Sequence, residues 1–205
     1  MKTNLTKRFS RRAIENSGFS TLELVIVMTV MLIVTAVGLP SFFRSLRTYQ
    51  LNDAATRVAS ILKFTRYEAI RLNVTTTLAA GVKAGGNNNC PAASNWCLWT
   101  DSIANTTLDG TENQIQLIGN LNLVAAGTAP GGLAGAVGAG ALTDARAVGF
   151  VAFDRRGAVA PAAVDVLYVR NTVFPDLGFR AVVLLPSGSV EIWTSDTTGA
   201  WRQVN

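Results

Sequence analysis

From Leu24 to Phe43 the chain runs twenty residues without a charge (LVIVMTVMLIVTAVGLPSFF). At about 1.5 Å of rise per residue, a helix of that length just crosses a hydrocarbon core of about 30 Å. After Arg44 the apolar pattern narrows to one stripe: Leu51, Ala54, Ala55, Val58, Ile61, Leu62, Thr65 and Ala69 recur at helical steps. Asp53, Arg57, Lys63, Arg66, Glu68 and Arg71 occupy the other faces, which reads as a solvated side. Asn73 and the β-branched Val74-Thr75-Thr76-Thr77 mark a helix end. The pattern predicts one helix over about 20–73, its first half long and apolar enough to span a membrane and its second half for packing on a sheet. Pro40 is expected to kink it, because it removes a backbone donor and crowds the preceding turn.

Beyond the helix the period changes. Short β-type runs at 74–79, 96–100, 114–118, 147–153, 164–170, 179–185, 188–194 and 200–204 are separated by Gly, Pro, Asn or Asp. The fold class expected is α+β, a long N-terminal helix packed on an antiparallel sheet or two-sheet sandwich. Asp154-Arg155-Arg156-Gly157 and Pro186-Ser187-Gly188 read as hairpin turns, with glycine supplying positive φ. Residues 125–142 (AAGTAPGGLAGAVGAGAL) hold six glycines and no charge, and read as a flexible loop.

Composition changes the picture by exclusion. Without histidine there is no Ser-His-Asp triad, no Cys-His dyad and no His-ligated metal. No P-loop, dinucleotide-binding glycine pattern or zinc-protease helix is present, and Asp154, Asp165 and Asp176 sit in or beside turn signals. The expectation is a non-enzyme, with no catalytic residue, cofactor or metal. Trp96, Trp99, Trp193 and Trp201 read as core or half-buried filler before they read as a binding surface. The sequons at Asn73 and Asn105 are short enough to arise by chance.

Charge supplies the orientation. The net charge is +5, but Lys2, Lys7, Arg8, Arg11 and Arg12 against Glu15 put most of it in residues 1–18. A basic cluster ahead of an apolar span stays in the cytoplasm, so everything after Arg44 is expected on the far side of the membrane. Cys90 and Cys97 have neither redox nor metal spacing, and in an oxidising compartment they read as a structural disulfide.

Glu23 stands at the head of the apolar run. Ser20-Thr21-Leu22-Glu23 has the form of a capping box, which accounts for the carboxylate locally. A secretory signal peptide, with Leu24 to Val34 as its apolar region and Ala36-Val37-Gly38 as its cleavage site, is the main competing reading of this segment. It would need a long leader ending in an acidic residue, and Pro40 almost at the cut.

The run Gly18-Phe19-Ser20-Thr21-Leu22-Glu23-Leu24, behind a basic leader and ahead of an apolar helix, resembles the class III signal of type IV pilins and type II secretion pseudopilins. The segment Arg66-Tyr67-Glu68-Ala69-Ile70-Arg71-Leu72-Asn73 is similar to the "ARSEAI-x-R-N" stretch of the GspH/FimT branch of minor pilins. The resemblance implies a leader over 1–18, a membrane or filament-core helix over 19–44, an amphipathic half over 45–73 and a β-rich head over 74–205. It implies cleavage after Gly18 by a membrane-embedded prepilin peptidase and methylation of Phe19. It also implies pairing of Glu23 with the freed amine of a neighbouring subunit.

Implied partners are other pilin or pseudopilin subunits, the peptidase, an inner-membrane assembly platform, and membrane lipid around residues 24–43. The implied location is the inner membrane, single-pass, with a periplasmic head that later enters a pseudopilus or pilus. FimT-like members take part in DNA uptake through a Gly-Arg-x-Arg pattern, but Gly188-Ser189-Val190-Glu191 has Ser and Glu at the arginine positions. DNA is therefore not expected as a partner.

Overall fold

The computed structural model describes residues 19–82, 90, 94–102, 108 and 110–204. Residues 1–18, expected to be a leader ending at Gly18, and Asn105 lie outside the described residues. The chain divides into two compact units, Met1–Arg44 and Ser45–Asn205. One helix, α1 (Thr21–Leu72), contributes to both and contains Pro40.

In the first unit, Leu24 N–H donates to the Ser20 carbonyl at 3.1 Å, so Ser20 occupies the N-cap position that the sequence suggests. Thr29 and Thr35 turn their hydroxyls onto the Val25 and Met31 carbonyls at 2.8 and 2.6 Å. Both polar groups are thus satisfied within the helix, as an apolar surrounding requires. The apolar side chains from Leu22 to Phe43 are exposed on every face, and the most apolar window has a mean hydropathy of 2.5.

In the second unit, the buried side of α1 is Leu51, Ala54, Ala55, Val58, Ala59, Ile61, Leu62, Thr65 and Ala69. This is the predicted stripe with Ala59 added. The helix closes as expected: Asn73 takes a left-handed conformation at φ 55°, and Val74 N–H reaches the Ala69 carbonyl at 3.3 Å.

Two sheets follow. The first joins β1 (Thr76–Val82), β2 (Ser94–Asp101), β3 (Gln114–Ile118) and β6 (Phe150–Phe153) in the order β3-β2-β1-β6. The second joins β4 (Leu121–Val124), β7 (Asp165–Asn171), β8 (Phe179–Leu184), β9 (Val190–Ser195) and β10 (Trp201–Val204) in the order β10-β9-β8-β7-β4. A two-residue strand, β5 (Thr143–Asp144), pairs with β7 in parallel, the exception to the antiparallel expectation. The sequence reading did not anticipate β4, β5, or the short helices α2 (Leu133–Val137) and α3 (Ala145–Val148). α3 replaces the first residues assigned to a strand at 147–153.

The strand period sorts side chains into two cores. Val182 and Leu184 of β8, with Leu167 and Val169 of β7, join Leu78, Leu98, Leu117, Val151 and Phe153 of the first sheet around α1. The alternate positions Phe179, Ala181, Val183, Val166 and Tyr168 face the other way and meet Trp193, Trp201 and Leu133.

That second core corrects the reading of residues 125–142. The segment folds as a 3-10 turn at Ala126–Thr128 followed by α2, and covers the outer face of the second sheet with Leu133 2% exposed. Trp201 Nε1 donates to the Pro130 and Gly131 carbonyls, each at 3.2 Å, and Asp144 accepts from Ala126 N–H at 2.8 Å. Its glycines serve tight turns in a packed layer: Gly132 (φ 93°) and Gly138 (φ 74°) bracket α2 in left-handed conformations.

Candidate assembly surface

The first unit gives the most direct signal. An isolated helix that is apolar on all sides is unstable in water and must be covered by lipid or by other helices. Phe19 is 80% exposed at its start, and Glu23 is the acidic residue of its first turn. A carboxylate at that place interacts favourably with the helix dipole.

In the second unit, Arg66 bonds one turn to the helix and packs against a second. The Asp154–Gly157 turn is closed by Gly157 N–H on the Asp154 carbonyl at 2.9 Å. The Asp154 carboxylate accepts from Ala158 and Arg156 N–H at 2.9 and 2.8 Å, which holds its pKa below the usual carboxylate range. The β8–β9 hairpin turns at Pro186-Ser187-Gly188, and Val159 N–H donates to the Pro186 carbonyl at 3.0 Å. Arg66 Nη1 donates to the Gly188 carbonyl at 3.1 Å. Gly157 (φ 78°) and Gly188 (φ 80°) supply the positive φ that the sequence assigned to both turns. Glu68 and Arg71, from the same motif, form an ion pair that lowers the carboxyl pKa through its hydrogen bond to the guanidinium.

A groove of about 420 Å3 opens where α1 passes the β3–β4 turn. Arg47, Gln50, Asp53 and Arg57 line it from the helix, Gln116 to Leu121 from the strands, and Asn171 and Phe174 from the far side. The Arg47 guanidinium lies 3.3 Å from the centre of the Phe174 ring, a cation–π contact that holds the long side chain in place. Arg57 Nε is committed to Asp53 at 2.8 Å. The sequence reading missed this cluster, because Arg47, Gln116 and Phe174 are far apart in the chain and share no motif.

The other residues singled out from the sequence go to separate places. Cys90 and Cys97 are joined by a disulfide, with Cα atoms 5.6 Å apart, and pack with Trp99. Trp99, Trp193 and Trp201 are buried, and Trp96 is half-buried beneath the Arg146 guanidinium, 5.1 Å from its ring centre. Asp154 forms its turn as expected and Asp176 lies in the 3-10 turn Pro175–Leu177. Asp165 is instead the buried first residue of β7, its pKa raised by burial. Among the described residues no group of His, Cys, Asp or Glu stands in a metal-binding arrangement.

The arginines that could have made a nucleic-acid surface do not converge. Arg180 is 7% exposed, donates to Asn52 Oδ1 at 2.6 Å and to the Phe179 carbonyl at 2.9 Å, and has its pKa lowered by burial. Arg202 pairs in register with Thr194 near the end of β9, whereas Arg155 and Arg156 lie beside the hairpin at its start. Four steps of strand, from Val190 to Thr194, separate those places by about 14 Å along β9. Glu191 accepts from Trp193 Nε1 at 3.0 Å.

The sequence model of the family described as type II transport protein GspH matches residues 54–188, the greater part of the chain. This chain belongs to the GspH family. Among solved structures, it aligns with the type IV minor pilin FimU of Pseudomonas aeruginosa (strain PAO1) in two crystal forms. The P21 form gives 12% identity and a TM-score of 0.47, covering 77% of this chain and 94% of that one. The P65 form gives the same identity and score, covering 76% and 98%. No curated protein matches the chain. GspH proteins are pilin-like structural subunits, not enzymes, and membership carries assembly with other pilin-type subunits. The matched range runs from the amphipathic half of α1 to the β8–β9 hairpin, so it includes Arg66 and the two turns beside it. The exposed apolar helix is compatible with single-pass membrane anchoring of such a subunit.

Proposed function

We propose that this GspH-family chain is a minor pilin-like subunit of a type IV filament, a type II secretion pseudopilus or a type IV pilus, acting in its assembly. The observation that carries the reading is the exposed apolar helix with Glu23 at its head, joined in one chain to a folded GspH head. In this reading residues 1–18 are a leader, a prepilin peptidase cuts after Gly18, and the Phe19 amine is methylated. The subunit waits in the inner membrane with its head in the periplasm. An assembly platform then extracts it into a bundle in which the apolar helices of neighbouring subunits replace lipid.

Glu23 supplies register. A carboxylate drawn into an apolar bundle needs a cation, and the freed amine of an adjacent subunit provides one. Leaving one member of such a pair alone typically costs about 3–5 kcal/mol, enough to favour one stagger between helices over its neighbours. N-terminal mass analysis of protein from the native membrane tests the reading. A mature chain beginning at methylated Phe19 supports it, whereas one beginning at Leu39 establishes the secretory signal peptide instead.

A further inference from the structure

The groove beside β3 has three properties that together select a ligand. The first is a strand edge with no strand partner among the described residues. β3 ends the order β3-β2-β1-β6, so it has a strand partner on one side. Thr100 N–H donates to the Asn113 carbonyl at 2.9 Å, and the register continues through Trp99↔Gln114, Leu98↔Ile115, Cys97↔Gln116 and Trp96↔Leu117. In an antiparallel ladder hydrogen-bonded pairs alternate with non-bonded ones, so Ile115 and Leu117 bond to β2 while Gln114 and Gln116 turn their backbone N–H and C=O outward. An outward-facing edge is a template for an incoming extended chain.

The second property is a cation held ready. Stacking on Phe174 fixes the Arg47 guanidinium plane and leaves its edge, where the N–H donors lie, for an acceptor in the plane. Arg57 is already matched by Asp53, so the lining carries one positive charge in excess. The third is the shape: a cleft of about 420 Å3 lined by Gln50 from the helix and by Gln116 from β3. A lipid surface is met by a flat basic patch, whereas a recessed cleft with a strand edge fits a chain.

We infer that this groove receives an extended acidic segment of a neighbouring subunit, which adds to the outer edge of β3 and sets a carboxylate against Arg47. The inference rests on the filament reading for the identity of the neighbour; the chemistry of the groove does not depend on it. Backbone pairing at Gln116 gives affinity for any extended chain, and Arg47 gives the preference for an acidic one.

The test uses the full chain in neutral detergent micelles and a fluorescent hexapeptide of alternating valine and glutamate, capped at both ends. The glutamine analogue serves as its comparison. The glutamate peptide should bind, and Arg47→Met, which keeps an apolar stem over Phe174, should weaken it about 10- to 100-fold, the range of a charge-assisted hydrogen bond. The glutamine peptide should bind more weakly and be indifferent to Arg47→Met. Gln116→Pro, tolerated on an edge strand but lacking the outward donor, should weaken both peptides. Unchanged melting curves of the two variants establish that folding is not the cause.

Equal affinity for the two peptides, no binding of either, or indifference of the glutamate peptide to Arg47→Met overturns the inference. Displacement of the peptide by phosphatidylglycerol-containing vesicles, but not by phosphatidylcholine vesicles, assigns the groove to lipid and overturns it too. A chain that binds the peptide yet never enters filaments refutes the filament reading and leaves the groove assignment standing. Entry into filaments without peptide binding does the reverse.

Discussion

Gly188→Ala should be among the most damaging single-methyl changes in the head. A Cβ at Gly188 would lie 2.0 Å from the Gly157 carbonyl oxygen and 2.9 Å from Arg66 Nε, on a backbone at φ +80°. Gly119, at φ +67°, provides the reference because a Cβ there meets nothing within 4 Å. Gly119→Ala therefore pays conformational strain alone, about 1–2 kcal/mol. At Gly188 the same strain is joined by a collision with backbone, which can be relieved by parting the β8–β9 hairpin from the Asp154–Gly157 turn. Parting them breaks the bond from Val159 N–H to the Pro186 carbonyl and the bond from Arg66 to Gly188. A neutral bond contributes about 0.5–1.5 kcal/mol and one to a charged group about 1.5–3, so the total comes to about 3–6 kcal/mol.

Thermal unfolding of the unit Ser45–Asn205, which has its own cores, reads the difference. For a domain of this size about 1 kcal/mol shifts Tm by about 2–4 °C, so Gly119→Ala should lower it by a few degrees and Gly188→Ala by about 6 °C or more. Equal shifts for the two variants would refute the argument that Arg66 and the two turns form one packed unit.

Glu23→Ala should leave membrane insertion and leader cleavage intact and reduce incorporation into filaments, as measured by shearing and immunoblotting. A role in capping alone is worth about 0.5–2 kcal/mol and would leave incorporation normal. Cys90 and Cys97 should resist thiol labelling until reductant is added. Reduction should destabilise the head by about 2.5 kcal/mol on the chain-entropy account of so small a loop. Two freely reactive thiols in protein extracted without reductant would contradict the bond. The head should bind duplex DNA weakly at physiological salt, because Arg180 is buried against Asn52 and Arg202 lies at the far end of β9 from Arg155 and Arg156. Submicromolar binding in a mobility-shift titration, abolished by Arg155→Ala with Arg156→Ala, would reverse that conclusion.

Local chemistry was readable from the chain wherever one period or one short motif decides the outcome. The apolar stripe of α1, its stop at Asn73, most strands, both glycine turns and the Cys90–Cys97 bond are each marked by a pattern or pair of residues near one another in sequence. The apolar span and Glu23 belong with these, since length and charge placement along a helix are linear properties.

Other features depend on what lies opposite in space. Residues 125–142 are small, uncharged and glycine-rich, and linear composition cannot distinguish a mobile loop from a thin layer. The outward face of the second sheet decides it, because Tyr168, Phe179, Trp193 and Trp201 would otherwise be left uncovered. The fate of Arg180 is decided by Asn52, across the head on α1, and that of Arg66 by two turns that meet on it. The groove depends wholly on such meetings: the outer edge of β3 follows from sheet order, and the poise of Arg47 from Phe174. A side chain's polarity is fixed by its chemistry, but whether that polarity is spent internally or left for a partner depends on the group that folding brings against it.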